Sequence, residues 1–270
     1  MSQQPEGRPD LRADCAQCAG LCCVALALTV SDDFAIDKPA GQPCPNLKHD
    51  FRCGIHARLE DGGFPGCSVY DCFGAGQKVT QVTFGGRDWR QAVDSGALMF
   101  EVFSVVRLLH ELLWYLTEAL ALAPALRDDL QRALDDTERH TLGSPESLAD
   151  LDVIVHRSRV NTLLLRTSAT IRAGITPTPA SRRGANLVGA SLRGADLRGV
   201  DLRSACLTSA DLRDADLTAA DLIGADLRDT DLRGAHLGQA IFLTQPQLNA
   251  SHGNSRTTLP PRLTCPPHWP

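Results

Sequence analysis

The feature that most limits what this chain can fold into is a strict period of five between residues 185 and 244. Read in fives from Ala185, the third place is Leu eleven times and Phe242 once, without a gap across twelve units. The first place is Ala ten times, broken only by Val200 and Thr230. Five matches neither the 3.6-residue turn of a helix nor the alternation of a flat strand. Such a repeat describes a unit that buries its apolar side only by stacking on copies of itself.

Units such as Ala195-Asp196-Leu197-Arg198-Gly199 and Ala225-Asp226-Leu227-Arg228-Asp229 follow Ala-(Asp/Asn)-Leu-x-x and resemble the pentapeptide-repeat family. The resemblance implies a right-handed quadrilateral β-helix with the Leu and Ala series inside, four units to a coil and about three coils. Residues twenty apart would then stack, Leu187 on Leu207 on Leu227 and Leu192 on Leu212 on Leu232. By the same count Arg193, Arg213 and Arg233 form an outward ladder flanked by Ser191, Asp211 and Asp231. Like charges about 5 Å apart repel, so the Asp residues are expected to neutralise this ladder in a solvated face. Gripping an anion or an acidic partner is its rival use, which makes the three arginines the candidate interaction residues. Cys206 falls outward between Asn186 and Asp226, an incidental thiol on this reading.

Some members of that family protect DNA gyrase by imitating duplex DNA. Three coils at about 4.8 Å span about 15 Å, against about 34 Å for one turn of DNA. Residues 185–244 hold nine Asp and six Arg, a weak substitute for a phosphate array. Protection of a topoisomerase, as antibiotic self-resistance, is therefore the second reading. It requires two protomers joined end to end as a homodimer.

Cysteine is the other abnormality. Of ten, Cys15, Cys18, Cys22, Cys23, Cys44, Cys53, Cys67 and Cys72 lie close together, and only Cys206 and Cys265 fall elsewhere. Cys-x2-Cys spacing puts two thiolates about as far apart as a tetrahedral metal needs, and eight thiols make two sets of four. On an extended backbone the side chains of Cys22 and Cys23 point opposite ways, so one ligand to each of two centres is the natural division. The order Cys15-x2-Cys18-x-Gly20-x-Cys22-Cys23, then Cys44-Pro45-Asn46-Leu47, then Cys53-Gly54-Ile55-His56, then Cys67 or Cys72, resembles a family described as a putative zinc- or iron-chelating domain. That resemblance implies metal binding, with the eight cysteines as the candidate ligands. The ferredoxin run and the radical-SAM spacing are missing, which favours Zn²⁺, while Cys44-Pro45 keeps iron or an iron–sulfur cluster open. A loop-rich block of this size needs such a staple. Disulfides are the third option, and a redox or iron-dependent enzyme is the third functional reading. His56 could serve as a ligand or a neighbour of one, and Asp71 could orient Cys72 or face water.

No catalytic triad, dinucleotide fingerprint or phosphate-binding loop is present, and the chain is expected not to be an enzyme. With 27 Lys+Arg against 32 Asp+Glu it carries a net charge of −5, which disfavours direct nucleic-acid binding. Residues 1–14 lack the apolar stretch of a signal peptide. The apolar run Ala97–Ala123 is interrupted by Glu101, Arg107, His110, Glu111 and Glu118, so no membrane span is expected. A cytoplasmic location follows, where thiols stay reduced and bind metals.

The expected architecture is mixed α and β, and multidomain. A flexible N-terminus (1–14) precedes a small Cys-rich, metal-stapled domain (15–86) with strands at Val24–Val30 and Lys78–Phe84. A helical segment (87–173) starts with the stripe Leu98, Val102, Val105, Leu109, Leu112, Leu116, Leu120. Its second helix runs from Pro124 to about Arg139, and its third runs from an N-cap at Ser144 toward Arg172. A linker (174–184), the repeats (185–245), and a cap and tail (246–270) complete it, with Cys265–Pro270 expected to be mobile. The expected function is a non-enzymatic metal-binding protein that presents its repeats to a protein partner.

Overall fold

The computed structural model describes residues 11–91, 96–175 and 181–270. Residues 1–10 of the expected flexible N-terminus and 176–180 of the expected linker lie outside the described residues. The chain divides into two compact units: Met1–Thr117 with Asp128–Asn161, and Glu118–Arg127 with Thr162–Pro270.

In the first unit the cysteine-bearing loops are punctuated by short helices: a 3₁₀ turn at Cys15–Gln17, α1 (Leu21–Ala25), α2 (Pro65–Ser68) and α3 (Ala75–Gln77). Two long helices follow, α4 (Gly96–Leu122) and α5 (Arg127–Thr141). Of the apolar stripe read from the sequence, Val102, Leu109, Leu112, Leu116 and Leu120 are buried in α4, while Leu98 and Val105 are half-buried. Met99, Val102, Phe103, Val106 and Leu109 pack there with Leu21, Ala75, Val79 and Phe84 in one core. A second, smaller core holds Cys44, Leu59 and Phe64. In α5, Leu130 and Leu134 are buried, and acidic Asp128 and Asp129 open a helix that closes on Arg139 and His140, as the helix dipole favours.

The third helix is two helices, α6 (Pro145–Ala149) and α7 (Val153–Arg172). Ser144 caps the first as expected, its hydroxyl accepting the Ser147 N–H at 3.2 Å. Asp152 then restarts the chain by accepting the Val155 N–H at 3.0 Å, the competition by which aspartate favours caps over helix interiors.

Neither expected strand of the Cys-rich block forms. Val24 lies in α1, and Lys78–Thr83 continues α3 as a wide π-helical turn. The β-branched residues there have no partner strand. Thr80 instead donates to the Gly76 carbonyl at 2.9 Å and accepts the Ala19 N–H at 3.1 Å, which fixes the helical path.

The expected β-helix is also corrected. Among the described residues there is no β-strand and no sheet. Each five-residue unit contributes one bridged residue, paired in parallel with the residue twenty positions on: Asn186 with Cys206, Ser191 with Asp211, Asp196 with Asp216, and so on to Asp221 with Ile241. The reason is local. One residue per unit has left-handed φ, at Gly184, Gly189, Gly194, Gly199, Ser204, Ser209, Asp214, Ala219, Gly224, Asp229 and Gly234. A four-residue turn closes around each, as when Ala190 N–H bonds Leu187 O at 3.0 Å. A left-handed turn every five residues leaves no run long enough to be a strand. The Asp or Asn of each unit supports the turn by accepting the N–H two residues on, as Asp211 does from Arg213 at 3.1 Å. Leu202, Leu207, Leu212 and Leu217 are fully buried between the turns, with Ala205, Ala210, Ala215 and Ala220.

Beyond the repeats, α8 (Gln245–Asn249) starts from a capping box formed by Thr244 and Gln247. The twenty-residue register then stretches, with His252 bridged to Asp231 and Thr258 to His236. The tail expected to be mobile is packed instead. Trp269 is buried against Gly253, where any side chain would collide with its ring, and its indole N–H bonds Ser251 O at 2.9 Å. Among the described residues no helix is long and apolar enough to cross a membrane.

Candidate functional site

All ten cysteines are free thiols. The eight N-terminal ones sort by packing. Cys18, Cys22 and Cys72 pack on the core of Leu21, Ala75, Val79 and α4. Cys23, Cys53 and Cys67 pack on buried Cys44 with Leu59 and Phe64. Cys15 joins the first set electrostatically, since Cys22 and Cys72 both raise its pKa after burial does. The division falls between Cys22 and Cys23, whose sulfurs are 3.9 Å apart. The extended backbone assumed for this pair does not occur. Both lie in α1, where successive side chains diverge by about 100°, so a helical turn achieves the separation.

Two local devices repeat in the first set. Cys18 and Cys72 are each followed two residues later by a left-handed glycine, Gly20 (φ 68°) and Gly74 (φ 76°). The chain curls there, and backbone N–H groups of Gly20 and Leu21 turn to Cys18 while those of Gly74 and Gly76 turn to Cys72. Donors aimed at sulfur favour a thiolate. Gly76 completes the cradle: a Cβ there would stand 2.6 Å from the Cys18 sulfur and 3.9 Å from that of Cys72. From α4, Arg107 donates to Asp71 O at 3.2 Å and His110 Nδ1 to Phe73 O at 2.6 Å, clamping the loop that carries Cys72. Burial holds His110 neutral, its pKa driven down to about 4. The Tyr70 hydroxyl is buried without a hydrogen-bond partner; burial raises its pKa, Arg107 opposes the rise, and the charges of Cys22 and Cys72 add to it.

In the second set Cys44 N–H bonds Cys23 O at 2.9 Å. Burial, then Cys22, Cys44 and Cys53, push the Cys67 thiol up to about 11. Cys18 is pushed up to about 12, chiefly by burial. Protonated thiols in such proximity are a state that a cation would reverse, because it stabilises the anion that burial and neighbours oppose. Among the described residues, no group of three or more His, Cys, Asp or Glu side chains is arranged to hold a metal ion as it stands. Around these sulfurs stand the Gly76 cradle and the backbone N–H donors, with the buried Tyr70 hydroxyl within electrostatic reach of Cys22 and Cys72. His56 is exposed, and Asp71 accepts the Phe73 N–H at 2.7 Å.

Sequence reasoning missed Lys38, Tyr70 and Gly76. Only the recurring Cys-x-Gly at 18–20 and 72–74 was visible as a signal.

In the repeats, the Arg193, Arg213 and Arg233 column is neutralised. Arg213 pairs with Asp211 at 2.6 Å, Arg233 with Asp231 at 2.5 Å and Arg193 with Asp214 at 3.5 Å. The Arg213 guanidinium holds the Asp211 carboxyl down at about 2. Cys206 lies 3.4 Å from the Thr208 hydroxyl. An open cavity of about 420 Å³ is lined by Asp216, Thr218, His236, Gly238, Gln239 and Thr258.

Residues 183–214 and 210–242 match the family described as pentapeptide repeats, in eight copies. Along almost its full length the chain is 54% identical, over 266 residues, to the uncharacterized protein YybG of Bacillus subtilis (strain 168), covering 96% of this chain and 95% of that protein. Among solved structures, a pentapeptide repeat protein from the thylakoid lumen of Arabidopsis thaliana is 26% identical over 31% of this chain and 60% of its own, with a TM-score of 0.12. The chain thus carries pentapeptide repeats in its C-terminal region, and it belongs to the same protein family as YybG.

Proposed function

We propose that this pentapeptide-repeat protein is a non-enzymatic metal-binding protein whose repeats serve a protein partner. Cys15, Cys18, Cys22 and Cys72 would hold one ion, and Cys23, Cys44, Cys53 and Cys67 a second. Zn²⁺ is the metal proposed, with iron as the alternative. One observation supports the reading: seven of the eight thiols sort by packing into two groups, divided between adjacent residues of one short helix, with Cys15 tied to the first group by charge. A bound ion would supply the charge that makes buried thiolates stable, and with it folding free energy for loops that otherwise bury little apolar surface. All four ligands of each set being protein thiols leaves no open position, which suits a structural rather than a catalytic centre. The repeat face, with guanidinium and carboxylate alternating and paired, offers a polar surface suited to a protein partner rather than to phosphate.

Metal analysis of the purified full-length protein by plasma emission tests this. The expected result is about two Zn²⁺ per chain and no visible absorption. A band near about 400 nm that dithionite bleaches would assign an iron–sulfur cluster instead. Protein purified without reductant loss that holds neither metal overturns the reading.

A further inference from the structure

Lys38 is 4% exposed, a rare state for a lysine. Its ammonium group is directed at backbone carbonyls alone: Val24 O at 3.2 Å, Leu26 O, Pro39 O at 3.1 Å and Gln42 O at 2.9 Å. Three N–H donors shared among four acceptors leave it fully engaged. These acceptors come from two stretches of chain. Val24 and Leu26 lie at the end of α1, directly after Cys23, while Pro39 and Gln42 belong to the loop that leads into Cys44. The backbone of Lys38 adds to the brace through a pair of hydrogen bonds with Leu28, each 2.9 Å. Gly41 N–H bonds Val24 O, and Cys44 N–H bonds Cys23 O, both at 2.9 Å. Lys38 is thus the only side chain among those described that ties these carbonyls together. Its charge also lies within electrostatic reach of Cys23 and Cys44.

A buried ammonium costs several kcal/mol of solvation unless something negative repays it. Carbonyl dipoles repay part. Among the described residues no carboxylate pairs with it, and the neighbours of opposite potential charge are the two thiols. In the first set no lysine among the described residues holds a corresponding place; backbone donors from Gly20, Leu21, Gly74 and Gly76 face the sulfurs there instead.

We propose that Lys38 is a positioning residue for the second thiolate set: it sets Cys23 and Cys44 side by side and balances one of their negative charges, so that metal retention by that set alone depends on it. The inference rests on the two-site reading above. Lys38→Met keeps the length of the side chain and removes the charge and the four hydrogen bonds. Cys53→Ser, which removes one ligand from the second set, shows what loss of that set alone looks like.

The experiment measures zinc content of the full chain and maps thiol protection by N-ethylmaleimide labelling with mass spectrometry. In the unmodified protein about two Zn²⁺ and eight protected cysteines are expected; fewer than two overturns the two-site reading itself. In Lys38→Met the zinc content should fall to about one. Cys44, Cys53 and Cys67 should become labelled while Cys15, Cys18 and Cys72 stay protected, matching Cys53→Ser at Cys44 and Cys67. Two metals with unchanged protection in Lys38→Met overturn the role of Lys38. So does labelling of all eight cysteines when Cys53→Ser exposes only the second set, since the effect would then be general unfolding.

Discussion

Arg203 and Asp221 stand at outward places of the repeat, yet the two form a buried ion pair at 2.6 Å, with Asp221 wholly inaccessible and the guanidinium 5.9 Å from the Phe242 ring. Burying two charges is repaid only while both are present. Asp221→Asn or Arg203→Ala is therefore expected to cost roughly 3–5 kcal/mol, whereas the apolar pair Arg203→Met with Asp221→Leu should cost far less than the two single changes added. Urea denaturation of the four proteins checks this, and simple additivity would refute the coupling. Glu118 poses the opposite problem. Its carboxylate accepts the Phe242 N–H at 2.9 Å and pairs with Arg262, but burial outweighs both and lifts its pKa from 4.5 to about 7. The folded state then holds the proton more tightly than the unfolded state does. The stabilisation is complete below about pH 4.5 and is lost as pH rises through about 7, a swing of at most ~3 kcal/mol. Glu118→Gln keeps the acceptor for Phe242 and removes the titration, so its stability should stay level across that window while the parent declines. A parallel decline in both would show that Glu118 is not the source.

At the scale of the element, the five-residue unit is decided by its left-handed corner. Gly194 has φ 63° and open space around it, so Gly194→Ala is expected to cost only the strain of that conformation, about 1 kcal/mol. Gly234 has φ 74°, and a Cβ there would run into the Asp214 carboxylate beside Arg256. Gly234→Ala should therefore cost clearly more, about 2–3 kcal/mol once the displaced ion pair is included. Equal midpoints in thermal or urea unfolding would show that strain alone matters. This corner also explains what was legible. The twenty-residue register came from the family resemblance, while the Leu and Ala series could be read directly, because side-chain size at a fixed period is a sequence property. The loss of strands could not, because Ser204, Ser209, Asp214, Ala219 and Asp229 take a conformation that their residue types do not announce. The run at Lys78–Phe84 misled for a different reason. β-branched residues favour a strand only where one is available to pair with, and Thr80 found Gly76 and Ala19 instead. The candidate site divides likewise. Its eight candidate thiols came from spacing and a family resemblance, and their division at Cys22 and Cys23 was expected from an extended backbone where α1 forms instead, but Lys38, Tyr70 and Gly76 acquire meaning only through contacts distant in sequence.

For the whole molecule, the two compact units are built on different principles. The first relies on α4 and a set of loops in which Leu59 and Phe64 are the large residues of the smaller core. The second buries the repeat leucines from Leu197 to Leu237, and its repeat units are joined by backbone hydrogen bonds that need no ion. Bound metal should consequently stabilise one unit and leave the other untouched, because ligand binding adds free energy only to the structure that forms the site. Calorimetry of the full chain, as purified and after exhaustive treatment with a zinc chelator under reducing conditions, is the measurement. The transition of the first unit is expected to fall by at least about 10 °C, and that of the repeats to move by less than about 2 °C. Assignment of the transitions follows from Leu212→Ala, which truncates a fully buried repeat leucine and should lower only the repeat transition, at a cost of about 3–5 kcal/mol. If chelation left both transitions in place, the thiols would not be contributing metal-linked stability. If both fell together, metal-linked stability would not be confined to the unit that carries the eight thiols.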